Sequence, residues 1–197
     1  MLIETLEGQA IELGWLRDND LGVGVDDYLR LVLKKTAWYS FIHPMRIGAL
    51  VADGRDADLA RFDRFGYLLG LAFQITDDVL NLSGSVARYG KEIDGDLWEG
   101  KRTLLLSHAL EHAGRADRAW IGGFLARPRE RRLPREVLRL HDIVEGAGSI
   151  RWAARSAAAL ADAAASEFQR SAFAGVAAGP DLHWLRSCID FLVQRDA

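Results

Sequence analysis

Residues Arg61 to Leu82 read RFDRFGYLLGLAFQITDDVLNL, an apolar run at helical spacing interrupted by two adjacent aspartates. At about 100° per residue, Phe62, Leu69, Phe73 and Leu80 fall in one narrow stripe, which predicts an α-helix with that stripe as its core-facing seam. Gln74, Asp77, Asp78 and Asn81 then share the adjoining arc, roughly 60° to 160° from the seam. Gly66 and Gly70 lie on the border between the two. The pattern describes a helix lining a cavity whose mouth holds carboxylates. Adjacent aspartates belong more often to a solvated face. Here they stand between FQI and VLNL, where aspartate is a mediocre helix former and gains nothing from packing. Oxygen donors at i, i+1 and i+4 suit Mg²⁺, a hard ion that keeps several waters and bridges one or two carboxylates to phosphate.

The same helical reading extends along the rest of the chain. Pro128, Pro134 and Pro180 sit in polar or glycine-containing stretches where helices end, whereas Pro44 falls inside a helical pattern and is expected to kink it or open a new turn. The alanine-rich tract from Arg151 to Phe173 has no proline or glycine. Helices are expected over about 2–16, 26–53, 57–83, 98–114, 116–127, 134–146, 149–175 and 181–194. No alternating strand pattern of useful length occurs, so the fold class is all-α, with 1–197 as a single domain.

With 49% hydrophobic and 27% charged residues, the composition is that of a soluble globular chain. A net charge of −3 gives no basic field to draw nucleic acid or an anionic membrane, so phosphate binding has to be local. The single cysteine, Cys188, cannot form an internal disulfide, which with the absence of a basic leader or apolar span favours the cytoplasm.

After the aspartates comes a loop with Gly84, Gly90, Gly95 and Gly100, in which Lys91, Asp96 and Lys101 recur at intervals of five. Such a loop can fold its backbone close over an anion. It is not a Walker A loop, because Lys101 is followed by Arg102 and Thr103. A further cation precedes the aspartates: Lys35, Tyr39, Ile42 and Arg46 are spaced to form one helical face, with Thr36 beside it. A lysine that only covers apolar surface would look the same on that helix alone. Taken with the acidic arc and the lysine loop, it suggests a magnesium and diphosphate site.

These residues resemble the trans-isoprenyl diphosphate synthases, the polyprenyl synthetase family that includes farnesyl and geranylgeranyl diphosphate synthases. The likeness rests on GQ at Gly8 and Gln9, KTAWYSF from Lys35, FQITDD from Phe73 and GKEIDGDLWEGKRT from Gly90, and is strongest from about Leu6 to Leu106. It implies an isoprenoid-synthase helical bundle and a Mg²⁺-dependent prenyltransferase acting on an allylic prenyl diphosphate and isopentenyl diphosphate. Asp77 and Asp78 resemble the start of the family's second aspartate-rich motif. Asn81 replaces the commoner aspartate at the end of that motif, and Asp96 resembles an additional acid near the metals. Lys35, Lys91 and Lys101 resemble the diphosphate-neutralising lysines, Thr36 and Gln74 the polar groups beside the carbocation, and Gln9, Tyr39 and Phe73 the cavity lining. Asp94 stands where the family often has glycine.

The family's first aspartate-rich motif, DDxxD, is not matched. Asp26 and Asp27 begin DDYLR, which ends in arginine and reads as helix capping. The chain is therefore expected to be the C-terminal portion of a synthase, with the N-terminal helices missing. It is also expected to form a homodimer or to pair with an N-terminal portion or a complete synthase. Two other readings stay open: a non-catalytic subunit that modulates a complete synthase, and a fragment of a class I terpene cyclase.

Overall fold

The computed structural model describes residues 2–83, 93–176 and 178–193. No strand occurs among the described residues, as the all-α reading expects. Helix α1 spans Leu2–Arg17; α2, Val25–Val32, runs on through a π-helical segment, Leu33–Ile42, into α3, His43–Asp53. Helix α4 spans Asp63–Ser83, α5 Gly95–Glu99, α6 Leu104–His112, α7 Arg115–Leu125 and α8 Pro134–Gly146. Helix α9, Ser149–Glu167, ends in a second π-helical stretch, Phe168–Ala172, and α10 spans Pro180–Val193. No helix among the described residues is long and apolar enough to cross a membrane.

Pro44 does not break its helix. Proline has no amide hydrogen to donate four residues back, and the chain meets this by widening before it: the His43 N–H reaches Trp38 O, five residues away. The wider turn corrects the expected face of Lys35, Tyr39, Ile42 and Arg46. Ile42 is only 1% exposed whereas Tyr39 is 50% exposed, so the two point to different surroundings.

Two expected helices begin elsewhere. The α-helix expected from 57 starts at Asp63, preceded by a single 3₁₀ turn at Ala60–Phe62. The helix expected over 98–114 is interrupted at Gly100, whose φ of 71° is left-handed. It restarts at Leu104, where Thr103 is the N-cap and its hydroxyl accepts from the Leu106 N–H.

The described residues of Met1–Gln9, Arg30–Gln74 and Ser156–Arg195 form one compact unit, and those of Ala10–Leu29 and Ile75–Arg155 form another. The core of the first gathers Phe62, Phe65 and Leu69 of α4 with Ala164, Phe168, Ala172 and Ile189. Phe65 meets Phe168 edge-on, with ring centroids 5.5 Å apart. The π-helical segment lies so close to α4 that a Cβ on Gly70 would fall 2.7 Å from the Ala37 Cβ, and one on Gly66 2.6 Å from the Ile42 Cγ1. These glycines admit neighbouring helix rather than floor a cavity. In the second unit α8 packs against α5, α6 and α7, and Leu105, Ile121, Phe124, Leu140 and Val144 are fully buried.

Burial along α4 is broader than one stripe. Phe62 and Leu69 are buried as expected, while Phe73 and Leu80 are only half-buried, and Leu71, Ala72, Ile75, Asp78 and Asn81 are buried as well. The one-sided periodicity assumed for a surface helix fails on a helix covered on several sides.

Gly70→Ala is expected to cost ~1–3 kcal/mol of stability, since the new methyl meets Ala37 backbone as well as side chain. Gly48→Ala, where nothing lies within 4 Å, is expected to gain ~0.5–1 kcal/mol. Urea denaturation of the two variants checks the contrast.

Candidate functional site

Asp77 and Asp78 occupy the part of α4 that belongs to the second unit. Asp77 is half-buried, and Asp78 is only 5% exposed. A buried carboxylate needs donors. Tyr28 of α2 provides one: its phenol O–H donates to Asp78 Oδ2 at 2.8 Å, and the ring is 2% exposed. Burial, reinforced by the charge and hydrogen bond of Asp78 and by the charges of Asp96 and Asp77, holds the Tyr28 pKa well above its ordinary value near 10. The phenol is thus a permanent donor in the neutral range.

Asn81, one turn further along α4, fastens the turn ahead of α5. Its backbone carbonyl accepts from the Asp94 N–H at 2.9 Å, and its Oδ1 accepts from the Asp96 N–H at 3.0 Å. Asp96 in turn accepts from the Lys101 ammonium at 2.7 Å, and Lys101 lies 2.9 Å from Glu99. Burial pushes the Asp96 carboxyl up, against the Lys101 hydrogen bond, and the charge of Asp77 adds to the rise. Burial would lower the Lys101 pKa, but the hydrogen bonds and charges of Asp96 and Glu99 together raise it above its ordinary value.

Two buried arginines shape the same turn. Arg102 donates to Asp20 O, Asn19 Oδ1 and Gly100 O, and burial together with the nearby Arg132 charge pushes its pKa down to about 10. Arg132 donates to the carbonyls of Leu97, Trp98, Leu125 and Arg127, and its guanidinium fills the space that a Cβ on Gly100 would need. Asp94 adopts a left-handed conformation, φ 59°, which glycine would take without strain.

In the first unit, the Thr36 hydroxyl donates to Gln74 Oε1 at 3.0 Å, pairing two polar groups singled out in the sequence. Phe73 packs on Phe41, with centroids 5.5 Å apart. Gly8 is buried where α1 crosses Lys35: a Cβ there would fall 2.7 Å from the Lys35 backbone N. Gln9 and Lys35 are half-buried, and Tyr39 is exposed. Lys91 lies outside the described residues.

Among the described residues no three His, Cys, Asp or Glu side chains converge on a point able to hold a metal ion. Asp77, Asp78, Asn81 and Asp96 therefore do not form an all-protein cage. The adjacent carboxylates of Asp77 and Asp78 fit an oxygen-preferring dication that draws its remaining ligands from water and phosphate. Asp26 and Asp27 lie in the first turn of α2, as capping predicts, and Asp27 accepts from the Gly24 N–H.

The sequence profile described as Polyprenyl synthetase matches residues 1–139. The chain belongs to the polyprenyl synthetase family. An octaprenyl diphosphate synthase of Escherichia coli is 28% identical over 193 residues, covering 96% of this chain and 55% of that protein. A short chain isoprenyl diphosphate synthase of Methanothermobacter thermautotrophicus is 34% identical over 116 residues, 59% of this chain and 35% of that one. The crystal structure of a Caulobacter crescentus polyprenyl synthase, complexed with calcium and isoprenyl diphosphate, has a TM-score of 0.82 at 28% identity, over 98% of this chain and 56% of that one. The chain spans only 35% to 55% of the length of these two curated relatives.

Tyr28, Arg102, Arg132 and His141, whose Nδ1 lies 2.7 Å from Asp94 Oδ1, were not among the residues the sequence singled out. Gly100 is no signal for the arginines in the sequence, since its left-handed φ and the Arg132 guanidinium against it are seen only in the structure.

Folding raises the Tyr28 pKa, so its stabilisation is complete below about pH 10 and is lost as the pH climbs toward the folded-state value. Tyr28→Phe leaves the buried Asp78 without this donor and is expected to cost ~1–3 kcal/mol at pH 7. Denaturation curves at pH 7 and above pH 10 are expected to show a shallower alkaline loss for the variant than for the parent.

Proposed function

We propose that the chain contributes diphosphate-binding and carbocation-facing residues to a prenyl transfer that joins an allylic prenyl diphosphate to isopentenyl diphosphate. The observation that carries this is the Asp77–Asp78 pair with its supports: Tyr28 orients Asp78, and Asn81 holds the turn that bears Asp96 and Lys101. Family membership supports the reaction class, and the Caulobacter relative supports the ligand class.

The allylic C–O bond breaks with its electron pair leaving on the diphosphate. The double bond of isopentenyl diphosphate supplies the pair for the new C–C bond, and a proton is then lost to restore the alkene. When bound, a divalent cation, with magnesium the proposed ion, neutralises charge on the leaving group. Asp77 and Asp78 are the residues to hold it, with Asp96 the further acid on the turn that Asn81 secures. Lys35 and Lys101 donate to phosphate oxygens; Lys101 is already raised in pKa by its carboxylate neighbours and stays charged. Thr36 and Gln74, hydrogen-bonded to one another, are the polar pair whose oxygen dipoles offset the developing cation in this reading. Phe73 and Tyr39 supply apolar surface that keeps water from it, and Gln9 adjoins Gly8 on the helix that crosses Lys35. Pairing with a second copy or with a further portion of a synthase belongs to the same reading. Exposed apolar side chains on α1 (Leu2, Ile3 and Leu6) and on α3 (Ile47, Leu50 and Val51) support it.

Calorimetric titration with geranyl diphosphate and Mg²⁺ tests the reading. Asp77→Asn and Lys35→Met are each expected to weaken magnesium-dependent binding by roughly 10² or more, while Asp181→Asn on α10 leaves it unchanged. Equal binding by Asp77→Asn and the parent, with and without Mg²⁺, would refute it.

A further inference from the structure

Asp94 is a peculiar residue for its place. It is the N-cap of α5 with φ 59° and ψ 14°, left-handed values that most L-residues disfavour and that aspartate adopts less readily than glycine. Its backbone nevertheless carries the turn: the Asp94 N–H donates to Asn81 O at 2.9 Å, and Asp94 O accepts the Trp98 N–H at 2.9 Å. Two residues on, the Asp96 N–H donates to Asn81 Oδ1, and Asp96 O accepts the Lys101 N–H. Asp94 thus begins, in a left-handed conformation, the turn that seats Asp96 against Asn81 of α4 and leads on to Lys101.

His141 holds it there. It rises from α8, a helix anchored by the buried Val137, Leu140 and Val144. Its Nδ1 lies 2.7 Å from Asp94 Oδ1, and both side chains are largely buried. An ionised carboxylate only accepts, so the imidazole carries its proton on Nδ1 and donates. The bond ties a strained backbone to a rigid helix 47 residues away in sequence.

We infer that His141 is a positioning residue: by fixing Asp94 in the left-handed conformation it sets the Asp96–Lys101 pair of the proposed diphosphate site. The inference rests on the proposed function for its consequence in ligand binding, and on the turn's own hydrogen bonds for the rest. Glycine at position 94 needs no such tether, which gives the idea a sharp test. His141 also lines a cavity of about 440 Å³ with Leu82, Ser83 and Glu145, so its truncation widens open space instead of emptying a packed core.

The experiment compares the parent, His141→Ala, Asp94→Gly and the double variant by amide hydrogen exchange at Asp96 and by calorimetric affinity for inorganic diphosphate with Mg²⁺. His141→Ala is expected to lower Asp96 amide protection and diphosphate affinity about tenfold each, and in the Asp94→Gly background to change either by less than about twofold. His141→Asn, which keeps a donor, is expected to recover most of the loss. An equal effect of His141→Ala in both backgrounds, or none in the parent, overturns the inference. A parent that binds no diphosphate sinks the proposed function, and the exchange measurements then still decide whether His141 fixes the turn.

Discussion

Helix α4 can lie against the π-helical segment only because Gly66 and Gly70 carry no side chains. A methyl at Gly70 would meet Ala37 side chain and backbone, and one at Gly66 the Ile42 side chain, each closer than 3.0 Å, so the two segments would have to shift apart. That close approach lets the Thr36 hydroxyl reach Gln74 and seats Phe41 on Phe73. The segment is itself widened by Pro44, whose missing amide shifts the helix to i→i+5 bonding. Local backbone chemistry and helix packing thus act together to present the polar pair of the first unit.

In the second unit, the organising problem is how to keep acids buried. Asp78 and Asp96 are both withdrawn from water, and each is met by a dedicated donor, Tyr28 for one and Lys101 for the other. Asn81 uses backbone and side-chain oxygens on the Asp94 and Asp96 amides of the turn, which ties acid to acid through peptide groups and not through charge alone. Such a network, with its partners satisfied, fixes geometry in a way that exposed ion pairs do not.

The helices, their approximate bounds and the place of Asp77 and Asp78 on α4 were legible because periodicity, proline and alanine content report local structure directly. Thr36 and Gln74 were each singled out through the family resemblance, but that they hydrogen-bond to one another was not legible from it. The π-turn was not, because a proline inside a helical pattern can kink, restart or widen the helix with the same sequence. Burial around α4 was misjudged because periodicity identifies one apolar face and is silent where a helix is covered on several. Tyr28 and His141 escaped because their partners lie 50 and 47 residues away. Arg102 and Arg132 escaped because they bind mainly carbonyls, which every residue has.

The buried arginines also say something about how this chain comes to be folded. Arg102 closes the turn before α6 by donating to Asp20 and Asn19, residues 82 and 83 positions earlier. Arg132 closes it from the other side, 34 and 35 positions later, on the carbonyls of Trp98 and Leu97. A turn whose last carbonyls are capped by such distant groups cannot be completed locally, and the loop entropy has to be met first. The segment from Asp94 to Thr103 thus takes its shape from partners far away in the chain and not from its own sequence alone.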